Sequence, residues 1–162
     1  MMKKVIFITA TLLFFGLVVV FIRYVDRAAP RNTSTIKKYA FFGEVNEFLA
    51  SVKMFSNADS SLIATITDTT GTTKTRYIYY MDIEIKNKDR DILYSIACEA
   101  NKNAPKPETT IKLVLAFDRI NKIGGYNKNA PGVTKLLDYF DINFILPFEN
   151  SQHIHLFPLK NP

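Results

Sequence analysis

The two histidines of this chain stand almost side by side, in His153-Ile154-His155. On an extended strand, residues i and i+2 project to the same side, so such a pair could grip one metal ion. A zinc-type site needs a third protein ligand, and Glu149 is the nearest carboxylate in the chain. His153 and His155, completed by Glu149 or a distant acid, are the candidate metal ligands and the set a metal-dependent hydrolase would use. Two ligands do not make a site, however, and an exposed pair near the C-terminal end is the favoured reading.

Other residue types that carry chemistry are thinly supplied. Cys98 is the only cysteine, so no intramolecular disulfide can form. Its setting, Ser-Ile-Ala-Cys-Glu-Ala, is apolar and acidic, which raises a thiol pKa and marks a buried structural residue rather than a nucleophile. Carboxylates pair at i, i+2 in Asp82/Glu84 and Asp89/Asp91. Such pairs can share a proton or bind a cation. Here they read as the wet face of a strand and, beside Lys86, Lys88 and Arg90, as a solvated turn.

Gly124-Gly125 among lysines resembles a phosphate loop only superficially. A P-loop needs Gly-Lys-Ser/Thr opening a helix, whereas Tyr126 follows Gly125 and Val133 follows Gly132. A flexible connection is expected instead. Gly-x-Ser-x-Gly, His-Glu-x-x-His, Gly-x-Gly-x-x-Gly and Cys-x-x-Cys are all missing. No catalytic residue is assigned and no cofactor is implied.

Charge narrows the partners. The chain has a net charge of +6, from 21 basic and 15 acidic residues. Lys3, Lys4, Arg23, Arg27 and Arg31 lie before residue 33, as does Asp26, so residues 33–162 keep 16 basic and 14 acidic side chains. That near balance lacks the footprint of a nucleic-acid binder. Tyr77, Tyr79 and Tyr80, with Tyr39, Phe41 and Phe42, could stack on bases or sugars, but at strand spacing they read as cross-strand packing.

The excess cations flank an apolar run. Val5–Ile22 is 18 residues without a charge. As a helix it spans about 27 Å, close to the roughly 30 Å hydrocarbon core of a bilayer. Signal-peptide cores are shorter, and no small-x-small cleavage pair is seen before Pro30. The sequence therefore predicts a retained signal-anchor at 5–24, after a tail at 1–4 and before a stalk at 25–35. Lys3, Lys4, Arg23, Tyr24 and Arg27 are its membrane flank, and residues 5–24 its lipid contact. The short lysine tail favours an inside N-terminus, with the domain periplasmic or extracellular. The cations after the run pull the other way.

A single globular domain is expected over 36–157, with a polar tail at 158–162. Glu44–Phe55 places Val45, Phe48, Leu49, Val52 and Phe55 on one helix face. Leu62–Thr67 and Arg76–Lys86 read as a hairpin around Gly71, with Tyr79, Met81, Ile83 and Ile85 on the buried face. Asp91–Ala100 fits both periods, and a cap at Asp89 tips it toward helix. Thr110–Phe117 reads as a central strand with Ile111, Leu113, Leu115 and Phe117 on one face. Gly124–Gly132 reads as a loop, and Pro131 opens a short helix through Phe140. Ile142–Phe148 reads as a further strand, and His153–Phe157 as an edge strand.

The expected class is α+β: an N-terminal transmembrane helix plus one small domain, with a mainly antiparallel sheet and two or three short helices. A β-rich barrel or sandwich is the alternative. The leading functional expectation is a non-catalytic accessory protein that binds another protein within a larger envelope complex. A second reading is a domain holding a lipid or apolar ligand in a cavity lined by residues such as Phe48, Tyr79, Leu113 and Phe144. The third is the metal-dependent hydrolase.

Overall fold

Strand β3 (Ile78–Asn87) turns directly into β4 (Arg90–Ala100) through Lys88 and Asp89, with Asn87 paired to Arg90. The Asn87 side-chain oxygen accepts the Asp89 N–H at 3.1 Å and so builds the turn. This computed structural model describes residues 35–70 and 78–160. The expected anchor with its flanking residues, and the turn around Gly71, lie outside that range. No helix among the described residues is long and apolar enough to cross a membrane.

The helix expected at Asp91–Ala100 is thus a strand. β4 has β3 on one side and β5 (Thr109–Asp118) on the other, both antiparallel. Ile92, Tyr94, Ile96 and Cys98, the alternating set, are all fully buried. Of the competing helical set, Ala100 is exposed. A strand between two partners satisfies both edges of its backbone, and that long-range gain outweighs a local ambiguity.

β5 is central, as expected, but not in the expected phase throughout. Ile111 and Leu113 face the core. The register then shifts opposite Ser95 and Ile96, so that Ser95 pairs with Leu115 but Ile96 with Leu113. Val114 is the extra residue of this bulge, and beyond it Ala116 takes the core position instead of Leu115 or Phe117. An inserted residue reverses the faces of everything after it.

β1 (Lys37–Phe41), which periodicity did not reveal, pairs with the first half of β5. The short β6 (Ile123–Gly125) pairs with its end. The Gly124-Gly125 connection is thereby a strand rather than a free loop. Gly124 has φ +109, and a Cβ there would lie 2.1 Å from the Ala116 carbonyl oxygen. β2 (Leu62–Thr70) flanks β3, and β7 (Leu156–Leu159) flanks β1. The full order is β2-β3-β4-β5-β1-β7, antiparallel at every pair, with β6 beside β5. β7 carries the sheet through Pro158 and Leu159, residues read from sequence as the start of a tail.

One face of the sheet is covered by helices. α1 (Val45–Ala58) buries all five residues of its expected apolar stripe. Its start is fixed by the Glu47 carboxylate, which accepts the Glu44 N–H at 3.3 Å. α2 (Val133–Phe140) runs on through a π-helical turn at Asp141–Ile145 into α3 (Leu146–Gln152). The strand expected at Ile142–Phe148 is therefore helical. Phe140, Phe144 and Phe148 stack one above the next, with ring centroids 5.0 and 5.6 Å apart. Phe55 lies 5.8 Å from Phe144, Phe48 lies 5.9 Å from Phe148, and Tyr94 lies 4.5 Å from Phe140. Tyr94 also donates its hydroxyl to the Leu136 carbonyl at 2.8 Å, so its polar tip is satisfied inside the core. Burying each such ring contributes about 1.5–3 kcal/mol. The result is an α+β fold: a seven-stranded antiparallel sheet with a few helices.

Candidate functional site

Two corners of the chain meet to form an open cleft of about 550 Å³. The first corner is the turn from β1 into α1, which brings Phe41, Phe42, Glu47 and Ser51. Gly43 sits at its bend because a Cβ there would lie 2.4 Å from the Phe41 ring and 2.8 Å from Glu47 Oε2. The second corner is the α3–β7 connection, which brings Gln152, His153, Ile154, His155 and Phe157.

His153 ends α3 in the left-handed conformation, φ 55°, and donates its N–H to the Glu149 carbonyl. It does not lie on a strand, since β7 begins only at Leu156. The shared strand face expected for His153 and His155 is therefore not formed. Glu149 does reach His155, with Oε1 3.0 Å from Nδ1, and the same oxygen accepts the Leu156 N–H at 2.5 Å. Its carboxylate thus fastens the corner and orients one imidazole. Among the described residues, no three His, Cys, Asp or Glu side chains gather so as to hold a metal ion. Ser51, the hydroxyl in the cleft, donates to the Glu47 carbonyl at 2.9 Å within its own helix. No hydrogen bond joins it to either imidazole among the described residues.

Exposed aromatic surface is the other property of this cleft. Phe42 is 63% and Phe157 39% exposed, and their rings lie 5.0 Å apart across the rim. The His155 ring meets Phe157 edge-on at 4.6 Å. An aromatic cluster left in water at the end of a sheet is the kind of surface that anchors a protein partner. Sequence reasoning named Phe42 as packing and passed over Phe157. The only hint was Phe-Phe-Gly-Glu, two rings before a break that only one of them can fold under.

A second open cleft, of about 460 Å³, is lined by Ile36, Lys37, Lys128, Thr134, Leu137, Asp138, Leu159 and Lys160. Its lysines are partly balanced by acids. Lys37 pairs with Asp141, whose other oxygen accepts the Tyr39 hydroxyl at 2.6 Å. Burial and the neighbouring Asp141 carboxylate push the Tyr39 phenol well above its ordinary value, so it stays protonated and acts as a fixed donor.

The remaining sequence candidates are engaged in packing. Cys98 is fully buried, and burial pushes its thiol far above the reactive range. Asp82 accepts from Ser95 Oγ at 2.5 Å. Glu84 takes both arms of the Arg119 guanidinium at 3.1 Å, and Asp91 accepts from the same group at 3.2 Å. The two acid pairs are thus tied through Arg119, with Lys86 2.6 Å from Glu84. Phe48, Leu113 and Phe144 are core residues, and Tyr79 packs against them.

Comparison with protein-family models, with curated proteins and with solved structures returned no match for this chain. The functional reading rests on its own residues.

Proposed function

We propose that this chain is a membrane-tethered, non-catalytic binding module, and that its Phe42/Phe157 cleft takes a segment of a partner protein in a larger envelope complex. The apolar run at 5–24 supplies the tether, and the domain beyond the stalk supplies the recognition surface on the extracytoplasmic side. The single observation that carries the reading is the exposed Phe42–Phe157 pair, 5.0 Å apart at the mouth of an open cleft. Polar groups from Glu47 and the two histidines rim it, the mix of aromatic anchor and hydrogen-bonding edge found in protein interfaces.

The alternatives draw less support. A lipid-holding cavity would use Phe48, Tyr79, Leu113 and Phe144, and these side chains are spent on one another. A metal-dependent hydrolase would need a third ligand beside His153 and His155. The test is site-specific photocrosslinking in the full chain, in its native membrane. A photoreactive phenylalanine analogue at Phe42 should give a discrete protein adduct, one at Lys53 should not, and Phe157→Ala should abolish the first. Equal labelling from both positions, or no adduct from Phe42, would show the reading to be wrong.

A further inference from the structure

The chain enters the domain through the second cleft. Thr35 is the first described residue, and Ile36 and Lys37, which follow it, line that cleft. Leu159 and Lys160 reach the same place, because β7 runs antiparallel to β1 with Leu159 opposite Lys38. The loop before α2 adds Lys128, and α2 itself adds Thr134 and Asp138. The Phe42/Phe157 cleft lies at the other end of the same two strands, where Phe41 is opposite Leu156. The length of β1, five residues or about 13 Å, separates the two.

Charge differs between these two ends. Among the described residues, Lys37, Lys128 and Lys160 line the entry cleft against one carboxylate, Asp138. Asp141 is the second acid at hand, and it is spent on Lys37 and the Tyr39 hydroxyl. Lys128 and Lys160 are exposed and have no ion pair among the described residues. Leu159, 39% exposed, adds an apolar contact to the same rim. The sequence carries the excess back toward the apolar run: Arg27–Lys38 holds Arg27, Arg31, Lys37 and Lys38 and no acid. The far cleft has Glu47 and, behind His155, Glu149, and no lysine or arginine among its described lining. A basic cluster of this kind beside a membrane helix is what attracts anionic headgroups.

We propose that the entry cleft is the face on which the domain rests against anionic phospholipid headgroups of the bilayer that holds its tether. The proposal rests on the tether reading. The stalk at 25–35 is eleven residues, at most about 40 Å when extended, and it ends at Ile36. In the chain, this cleft is thus the part of the domain next to the tether. Lys128 and Lys160 meet phosphate oxygens as point charges, while Leu159 meets the headgroup–acyl boundary. A soluble acidic protein would meet the same lysines. It would have to enter beside the stalk, however, where the tether keeps headgroups at high effective concentration. A stalk alone leaves the domain free to turn. The lysine contact sets its orientation, with the Phe42/Phe157 cleft directed away from lipid and toward a partner.

The test places the full chain in nanodiscs of phosphatidylcholine, alone or mixed with phosphatidylglycerol, that carry a quencher on the headgroups. A fluorophore goes on Asn129→Cys, exposed beside Lys128, or on Asn46→Cys, exposed in the first turn of α1 beside the far cleft. Buried Cys98 does not compete for the label. Phosphatidylglycerol should add quenching at residue 129 and none at residue 46, and high salt should erase the gain. Lys128→Gln with Lys160→Gln should weaken docking roughly tenfold or more, at about fivefold for each lysine near an anionic surface. Both side chains are exposed, so the double variant keeps its fold, which circular dichroism checks. Equal quenching of residue 129 in the two lipids overturns the proposal, as does a gain that survives the double substitution or appears equally at residue 46. A protein adduct from a photocrosslinker at Asn129, with no lipid dependence, gives the cleft to a protein instead. A chain that does not enter the discs removes the tether reading and this proposal together. A chain that enters them, ignores the lipid and still crosslinks through Phe42 loses this proposal alone.

Discussion

Replacing Phe144 by alanine should cost far more than replacing its neighbours Ile142 or Leu146, and the contrast tests the helical path of residues 141–152. Were this stretch a strand, Ile142, Phe144, Leu146 and Phe148 would share one buried face, and each truncation would cost about 2–5 kcal/mol. In the helix, Phe144 is 1% exposed, and its ring meets Phe55, Phe140 and Phe148 at 5.8, 5.0 and 5.6 Å. Ile142 and Leu146 are 62% and 52% exposed. Phe144→Ala should therefore cost about 4 kcal/mol, the middle of the range for a buried ring. Ile142→Ala and Leu146→Ala should stay within roughly 0.5–1 kcal/mol. The assay is urea unfolding of the full chain in mild detergent, followed by near-ultraviolet circular dichroism. With a slope of about 2 kcal/mol per molar urea, the Phe144→Ala midpoint should fall by about 2 M, and the other two by less than about 0.5 M. If that loss leaves too little fold to measure, Phe144→Leu keeps most of the volume and should fall between. An Ile142→Ala shift as large as that of Phe144→Ala would refute the helical assignment and restore the strand.

Two further expectations concern single contacts. Hydrogen bonds from Arg119 and then Lys86 hold the Glu84 carboxyl below its ordinary value, so its contribution is present above the unfolded pKa, about 4.3, and is lost as pH falls through the lower folded value. The stability gap between wild type and Glu84→Gln should thus be full at pH 7 and close on acidification. Urea midpoints that run parallel from pH 7 to strongly acidic conditions would contradict this. Gly124→Ala must place a methyl 2.1 Å from a backbone oxygen at φ +109, and should cost at least about 2 kcal/mol in the same unfolding assay. An unchanged midpoint would mean that β6 does not pack on β5 as described.

How far the sequence could be read depended on whether local period and long-range pairing agreed. In α1 they agree: Val45, Phe48, Leu49, Val52 and Phe55 repeat at helical spacing, and all five are buried. In β3 they agree again, with Met81, Ile83 and Ile85 inside. In β4 one set of apolar residues, Ile92, Leu93, Ile96, Ala97 and Ala100, fits a helix face, while another, Ile92, Tyr94, Ile96 and Cys98, fits a strand face. The choice was made by two neighbouring strands that no local window contains. In β5 the bulge was invisible because Val114, Leu115 and Ala116 are all apolar, so either phase looks plausible. Ile142–Phe148 misled because it was read apart from what precedes it. Taken from Val133, the buried series Val133, Leu136, Phe140, Phe144, Phe148 keeps a helical spacing unbroken. The cleft shows the same division. His153 and His155 announce themselves by type, but the Phe42 ring that faces their corner comes from the far end of the domain's sequence.

The strand order also bears on how far a change in the cleft can reach. The cleft gathers at the β1–β7 side of the sheet, where the domain's first and last strands lie together. At the other side of the sheet lies β2, reached from β1 only across β5, β4 and β3. At about 4.8 Å per step the two strands are roughly 20 Å apart, beyond the distance over which substitutions ordinarily couple. The strands between them are pinned on one face by the aromatic stack and carry the Arg119 carboxylate ties on the sheet itself. A substitution in the cleft, such as Phe157→Ala, should therefore leave the β2–β3 pairing unchanged.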